Sequence, residues 1–586
     1  MRKSLVAGVS LLALAATGAL AEDSDVIQNG NRGAAYIDQT NGTDDARAAI
    51  EQGTGAIGIS VGDTAGIYQQ GGDTLNANID QNVDNTFGNA GGGNGVAGIV
   101  QTDGSGTARA LIQQAGTRND AGISQTADDN RGTVRQFGTG NAALVDQGNG
   151  NGVFNRLNNQ TTSTNFQAEL GLQNGLGGSA TDSTATITQG DDFGIAADNS
   201  TAVALQSGDD QQSTITQEDG AGNNALTTQR GGENRSTVIQ ALDRNDAIVD
   251  QDGIGNRSTV DQFGIANTAT VNQDDDNHRS TVNQSGDRGI VQVDQAGDSN
   301  QSTILQGAAF DVANEAYVDQ DGDGLSSRID QLGDRNVADV DQEGDGNRSV
   351  IGQEGLRNTA NVSQDDDDNL SNINQSGDRN LADVTQEDEE NVLRIDQSGN
   401  RNTAAVGQDG DSNRSIIDQG GNQNVANVGQ QDNENLSNIN QLGNQNQAAV
   451  AQEDDDNTSR INQDGNRNSA GVDQDGIGNT SIIDQPGNQN VANVDQQDND
   501  NRSTITQTGN QNDADVTQAG DANRSTIDQS GNFNAASVEQ LDGGDVSVID
   551  QFGNNNNATV EQGDDGIFST ASIVQGGNAN DAFIEQ

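Results

Sequence analysis

The segment GDRNVADVDQEGDGNRSVIGQ, residues 333–353, carries the pattern that decides the fold. It holds two arms. In the first, Asn336, Ala338, Val340 and Gln342 share one parity, and in the second Asn347, Ser349, Ile351 and Gln353 do the same. A β-strand turns alternate side chains to opposite faces, so each arm sends these four residues inward and Val337, Asp339 and Asp341 outward. Charge lies outside, as a half-buried strand requires. The four residues between arms, Glu343-Gly344-Asp345-Gly346 here and Ser376-Gly377-Asp378-Arg379 further on, are turn formers.

Outward from this segment the pattern recurs. A Gln returns every 11 residues for 22 consecutive steps from Gln320 to Gln562, and shorter runs reach back to Gln28. Two residues before each Gln sits an aliphatic residue, and in the regular half it alternates strictly between Ile and Val, as in Ile329, Val340, Ile351 and Val362, so the full unit there spans two Gln steps and has two unlike arms. One such 22-residue unit cannot bury its own face, and stacked copies can. The fold expected is all-β: a β-solenoid of strand-turn-strand rungs, each advancing about 4.8 Å. Gln331, Asn336, Val340, Gln342, Asn347, Ile351, Gln353, Asn358, Val362 and Gln364 form its expected stacking core. Each Gln and Asn then lies over its equivalent one rung away, so buried side-chain amides pair along the axis and escape the cost of an unpaired polar group. Opposing a larger Ile to a smaller Val keeps the core thickness constant. A helical 11-residue repeat is excluded by too few apolar positions and by Gly and Asn throughout.

Residues 206–586 hold the regular repeats and 22–205 the irregular ones, with loops or distorted rungs expected around residues 148–199. Residues 1–21 read as a secretory signal: Arg2 and Lys3, then an apolar stretch, then Ala19-Leu20-Ala21 with cleavage after Ala21. No transmembrane segment is expected in the mature chain. Without Arg2 and Lys3 the 27 basic residues become 25, against 89 acidic ones, a formal charge of −64. Such a surface excludes nucleic acid as a partner. Aromatics are 2% and Cys is absent, so neither an ordinary globular core nor a disulfide framework is available.

The spacing Q-x4-N-x5-Q, seen from Gln331 through Asn336 to Gln342 and on through Asn347 to Gln353, resembles the curlin repeat of bacterial curli fibre subunits. The resemblance implies a secreted structural subunit of an extracellular amyloid fibre in a Gram-negative-type bacterium, self-associating and serving adhesion and biofilm. It also implies export through an outer-membrane pore and a nucleating minor subunit. This chain is longer and more acidic than a typical curlin, and it shows no separate targeting segment after Ala21. The alternative class is a monomeric solenoid, a surface adhesin or a cation- or ice-binding protein.

Other features are weighed beside the repeat. Acidic turns at Asp365, Asp366, Asp367 and Asp368, at residues 387–390, and at Glu453, Asp454, Asp455 and Asp456 recur at whole multiples of the repeat unit. Stacking brings their carboxylates together, which leaves two readings: a Ca²⁺ or similar hard cation bridging them, or, as the plainer reading, a solvated self-repelling edge. No other cofactor is expected. Arg335, Arg357, Arg379 and Arg401 recur once per unit and are expected to offset the neighbouring acidic ladders by exposed pairing. His278, the single His, is expected to be exposed and without function. No catalytic triad, Cys nucleophile or phosphate loop is present, and the Gly-rich residues 91–95 read as slack turn, so an enzyme is not expected.

Overall fold

The computed structural model describes residues 13–14, 23–28, 30–31, 34–40, 47–52, 60–61, 64–70, 76–81, 96–102, 108–117, 119–126, 129–147, 180–190, 197–307, 312–563 and 568–586. Most of the signal segment, including the cleavage position after Ala21, lies outside them, as do residues 91–95. The described residues form strands and turns, with no helix among them. They fall into two compact units, Met1–Ala313 and Asn314–Gln586.

In the unit Asn314–Gln586 successive strands go alternately to two parallel sheets. The Val-arm strand Val337–Glu343 pairs with Glu315–Asp321 on one side and Thr359–Gln364 on the other, and the Ile-arm strand Arg348–Leu356 pairs with Ser326–Asp334 and Leu370–Asp378. The register matches like with like: Val340 with Val362, Gln342 with Gln364, Ile351 with Ile373, Gln353 with Gln375. The 22-residue unit is therefore one turn of a β-solenoid. The parity read from sequence holds, since Val337–Glu343 alternates buried and outward residues along its length. Near the end of this unit Gln551 stacks on Gln575, 24 residues on, so the slip in Gln spacing is absorbed between strands and not within them.

The turns depart from the simple four-residue reading. Many Ile-arm strands run on past their Gln, as in Leu370–Asp378, so that turn residues pair with the next rung as well. The residue just before each ladder Asn takes a left-handed conformation: Arg335 has φ 57° and Asp368 φ 57°. Two such kinks turn the chain back over itself.

The unit Met1–Ala313 has the same two-sheet plan with looser spacing. Gln206 pairs with Gln229 and Gln217 with Gln240, 23 residues on in each case. Register also survives the irregular stretch, because Gln136 matches Gln189 and Gln147 matches Gln206, 53 and 59 residues away. Extra chain is thus inserted between rungs without breaking the ladder. The strict opposition of Ile to Val fails here. Ile67 and Ile99 fill one sheet while Ile79 and Ile112 fill the other, and later Val238, Val260 and Val282 oppose Val249, Val271 and Val293, all buried.

Candidate functional site: the stacked amide ladders

Every stacking-core residue read from sequence is buried, most with no exposed surface at all. Two kinds of ladder run through the core. In the first, Gln side chains bond to one another along the axis: Gln331 Nε2 donates to Gln353 Oε1 at 2.9 Å, Gln353 to Gln375 at 2.9 Å, and Gln342 to Gln364 at 2.7 Å. The same Nε2 also ties the two sheets together, since that of Gln353 donates to the Val337 carbonyl at 2.9 Å and that of Gln364 to the Arg348 carbonyl at 3.3 Å. A buried amide is thereby paired on both sides.

The Asn ladder works differently from the amide-to-amide pairing expected. Asn336 Oδ1 accepts the backbone N–H of Asn358 at 3.0 Å, and Asn347 Oδ1 that of Asn369 at 2.7 Å. Asn336 Nδ2 donates to the carbonyls of Leu332, at 3.2 Å, and of Gly355 in the next rung, at 3.1 Å. The left-handed residue before each Asn leaves main-chain groups pointing inward, and the Asn side chain satisfies them. Asn is therefore a turn clamp and Gln the axial link.

His278 corrects the sequence reading, for it is fully buried in the Asn ladder. Its backbone N–H donates to Asn256 Oδ1 at 2.8 Å, its Nδ1 accepts from the Asn300 N–H at 3.2 Å, and its Nε2 lies 2.6 Å from the Asp274 carbonyl. An imidazole with Nδ1 accepting and Nε2–H donating reproduces the two ends of an Asn amide. The slot looked variable in sequence because its occupant alone had changed.

The acidic turns are exposed or half-exposed. Asp366 and Asp368 are left-handed, with φ 59° and 57°, as are Asp454 and Asp456, with φ 60° and 61°. In two of these turns a carboxylate braces the backbone of the neighbouring rung: Asp367 Oδ1 accepts the Asp345 N–H at 2.7 Å, and Asp455 Oδ1 that of Asn433 at 3.0 Å. Among the described residues no three His, Cys, Asp or Glu side chains stand together so as to hold a metal. The Arg335, Arg357, Arg379 and Arg401 column is left-handed and exposed, and among the described residues no carboxylate stands within ion-pairing distance of it. That corrects the expected pairing: the ion pairs lie on strand faces instead, as at Arg328–Asp330, 2.7 Å.

One column escaped the sequence reading. Asn400, Asn422, Asn444, Asn466 and Asn488 form an exposed ladder, with Nδ2 of Asn422 donating to Asn444 Oδ1 at 2.8 Å and Asn444 to Asn466 at 2.9 Å. Its signal, Gly-Asn once per unit, was present but indistinguishable from ordinary turn composition. The Ser of the Ile arm, read as inward from its parity, is buried as expected. Ser415, Ser437, Ser459 and Ser481 have hydroxyls without a hydrogen-bond partner. Leu393 and Ala571 occupy the same column. Ser437→Ala should therefore be neutral or stabilise by up to about 1 kcal/mol, because it removes an unsatisfied group and leaves no orphan; thermal denaturation of the variant checks this, and a clear loss would contradict it.

In the unit Met1–Ala313 the outward-facing Asp146 is buried, which pushes its carboxyl up to about 7. Its folded pKa exceeds its unfolded one, so stability declines as pH rises from about 4 to 7 and stays reduced above. Asp146→Asn should raise stability at pH 8 by roughly 2–4 kcal/mol, at about 1.4 kcal/mol for each tenfold change in proton affinity, and change little at pH 4. Melting curves at both values test the difference.

The fold and its ladders define a class: a parallel, two-sheet β-solenoid held by repeated core amides. Comparison with known families makes this specific. The curlin associated repeat matches residues 109–138, 243–274, 333–365, 389–421, 455–487, 509–541 and 520–563, and the chain is a curlin-repeat protein. No curated protein matches it.

Proposed function

We infer that the protein is a structural subunit of an extracellular amyloid-type fibre, exported by way of the segment 1–21 and growing by addition of rung to rung. The observation that carries this reading is the interchangeability of the rungs. Gln353 meets Gln375 as Gln375 meets Gln397 and Gln397 meets Gln419, at 2.8–2.9 Å each. A rung from another copy offers the same donors and acceptors at the same spacing, so the contacts that join rungs within a chain serve equally between chains. The curlin-repeat family is a structural one, which accords with a chain built from repetition. Adhesion, a biofilm matrix, an export pore and a nucleating subunit follow from the family resemblance. Among the described residues no helix is long and apolar enough to cross a membrane.

The experiment is incubation of the mature chain with thioflavin T followed by fibre diffraction. Seedable fibres with a meridional reflection near about 4.8 Å support the reading. A chain that stays monomeric at high concentration with β-type circular dichroism moves the function to a surface adhesin.

Acid should speed assembly. Stacked outward carboxylates raise one another: burial and then Asp319 hold Asp339 up, and burial and then Asp495 and Asp475 hold Asp473 up. A group whose folded pKa is raised gains proton affinity on folding, so stacking is favoured as pH falls toward the ordinary carboxylate value. Lag times should shorten between pH 8 and pH 5. Equal lag times at the two values refute this pH dependence.

A further inference from the structure

In the unit Asn314–Gln586 the two sheets differ in charge. No strand of the Val-arm sheet carries an Arg or Lys, and its outward positions include Asp339, Asp341, Asp473, Asp495, Asp513 and Asp515. Every strand Arg of this unit faces out from the Ile-arm sheet. There the charges are ordered by column. Arg348, Arg414, Arg502 and Arg524 share the first outward position of their strands, and Asp330, Asp396, Asp418, Asp484, Asp528 and Asp550 share the third. The column between them carries Val350, Ile416, Ile482 and Val548 together with Arg328, Arg394 and Arg460, and Arg328 and Arg394 pair with Asp330 and Asp396 of their own strands. First and third positions of one strand lie about 13 Å apart, beyond the reach of an ion pair. Accordingly none of the four first-column arginines is ion-paired among the described residues.

The geometry points to this Ile-arm face as a lateral contact with a second copy of the chain, the two solenoid axes parallel and offset by one rung. This rests on the fibre reading above and adds how solenoids associate side by side. A half-turn about the solenoid axis brings the first column of one copy over the third column of the other. With a one-rung offset, Arg348, Arg414 and Arg502 of one copy meet Asp330, Asp396 and Asp484 of the second. In return Arg502 and Arg524 of the second copy meet Asp528 and Asp550 of the first. The second outward column then sets Arg460 against Asn438 or Ile482 and never against another Arg. Both copies have the same rung spacing, so the match repeats along the axis without accumulating mismatch. Antiparallel axes place Arg over Arg and Asp over Asp, and two Val-arm faces place carboxylates over carboxylates; both arrangements repel.

The test is mass per unit length of fibres grown from the mature chain, measured by scanning transmission electron microscopy. Wild type should give the value for two solenoids. Arg348→Glu, Arg414→Glu, Arg502→Glu and Arg524→Glu together should halve it while thioflavin T growth persists, since all four lie outside the core. Adding Asp396→Arg, Asp484→Arg and Asp528→Arg should restore the doubled value. Wild-type fibres of single-solenoid mass, or a charge-reversed variant that stays paired, overturn the proposal. If no fibres form at all, the fibre reading fails, and sedimentation velocity of the soluble chain decides the face alone: a dimer that the four substitutions dissociate supports it, and a monomer overturns it.

Discussion

Gly443→Ala will open the stack around its rung. Gly443 sits at φ 110°, a conformation that L residues rarely adopt, and a Cβ placed there stands 1.9 Å from the carbonyl oxygen of Gly465 in the next rung. The neighbour is backbone already committed to a turn, so no side chain can swing aside. Restoring an ordinary φ or moving the turn both break the contact between strands Leu436–Asn444 and Thr458–Asn466. The cost expected is at least about 3 kcal/mol, more than strained φ alone. Hydrogen exchange should show lost protection in these two strands and slower fibre growth with it. Gly429→Ala is the control. Its Cβ meets open space on the outward side of strand Val425–Gln430, so the substitution should be neutral or stabilise by about 0.4–1 kcal/mol through the unfolded chain. Equal effects at the two glycines would refute the close approach of successive turns.

The second large effect is expected at Asn446. Its Oδ1 accepts the Asn468 N–H at 3.0 Å, and its Nδ2 donates to the carbonyls of Leu442 at 3.3 Å and Gly465 at 3.0 Å. Asn446→Ala leaves one buried N–H and two carbonyls short of a partner. At about 1–3 kcal/mol for each buried orphan, and with some relaxation, the loss should reach roughly 3–5 kcal/mol. Denaturant titration of Asn446→Ala beside Ser437→Ala separates the two kinds of polar core residue. A loss at Asn446 no larger than at Ser437 would mean that the Asn column does not clamp the turns.

These two positions also show where sequence reading succeeds and where it stops. The parity of Asn336, Ala338, Val340 and Gln342 fixes which residues point inward, because a strand has only two faces and the charges must occupy one of them. The 22-residue interval fixes the rung, because unlike arms stack in register only on themselves. What a given polar side chain bonds to was not legible. Gln and Asn both read as amides free to pair along the axis, and the Asn clamp depends on a left-handed residue that composition does not announce. His278 departs from expectation for the same reason: its slot is defined by what the turn demands, and imidazole meets that demand as well as carboxamide does. Gly443 read as one turn former among many, because the carbonyl it approaches, that of Gly465, belongs to the next rung and is remote in sequence. The sorting of Arg onto one face was present in the sequence and emerges once arms are aligned by sheet.

The central claim, that equivalent residues of consecutive repeat units lie one rung apart, is open to a direct measurement. Leu381, Thr403, Val425, Gln447 and Ser469 are in register on successive Val-arm strands. Since the chain has no Cys, nitroxide labels on Leu381→Cys and Ser469→Cys are unambiguous. Four rungs separate them, so pulsed dipolar spectroscopy on the soluble chain should give a narrow distribution near about 19 Å, widened only by the label arms. A broad distribution extending beyond about 40 Å, as expected when the same chain is not stacked, would contradict the solenoid and everything built on it.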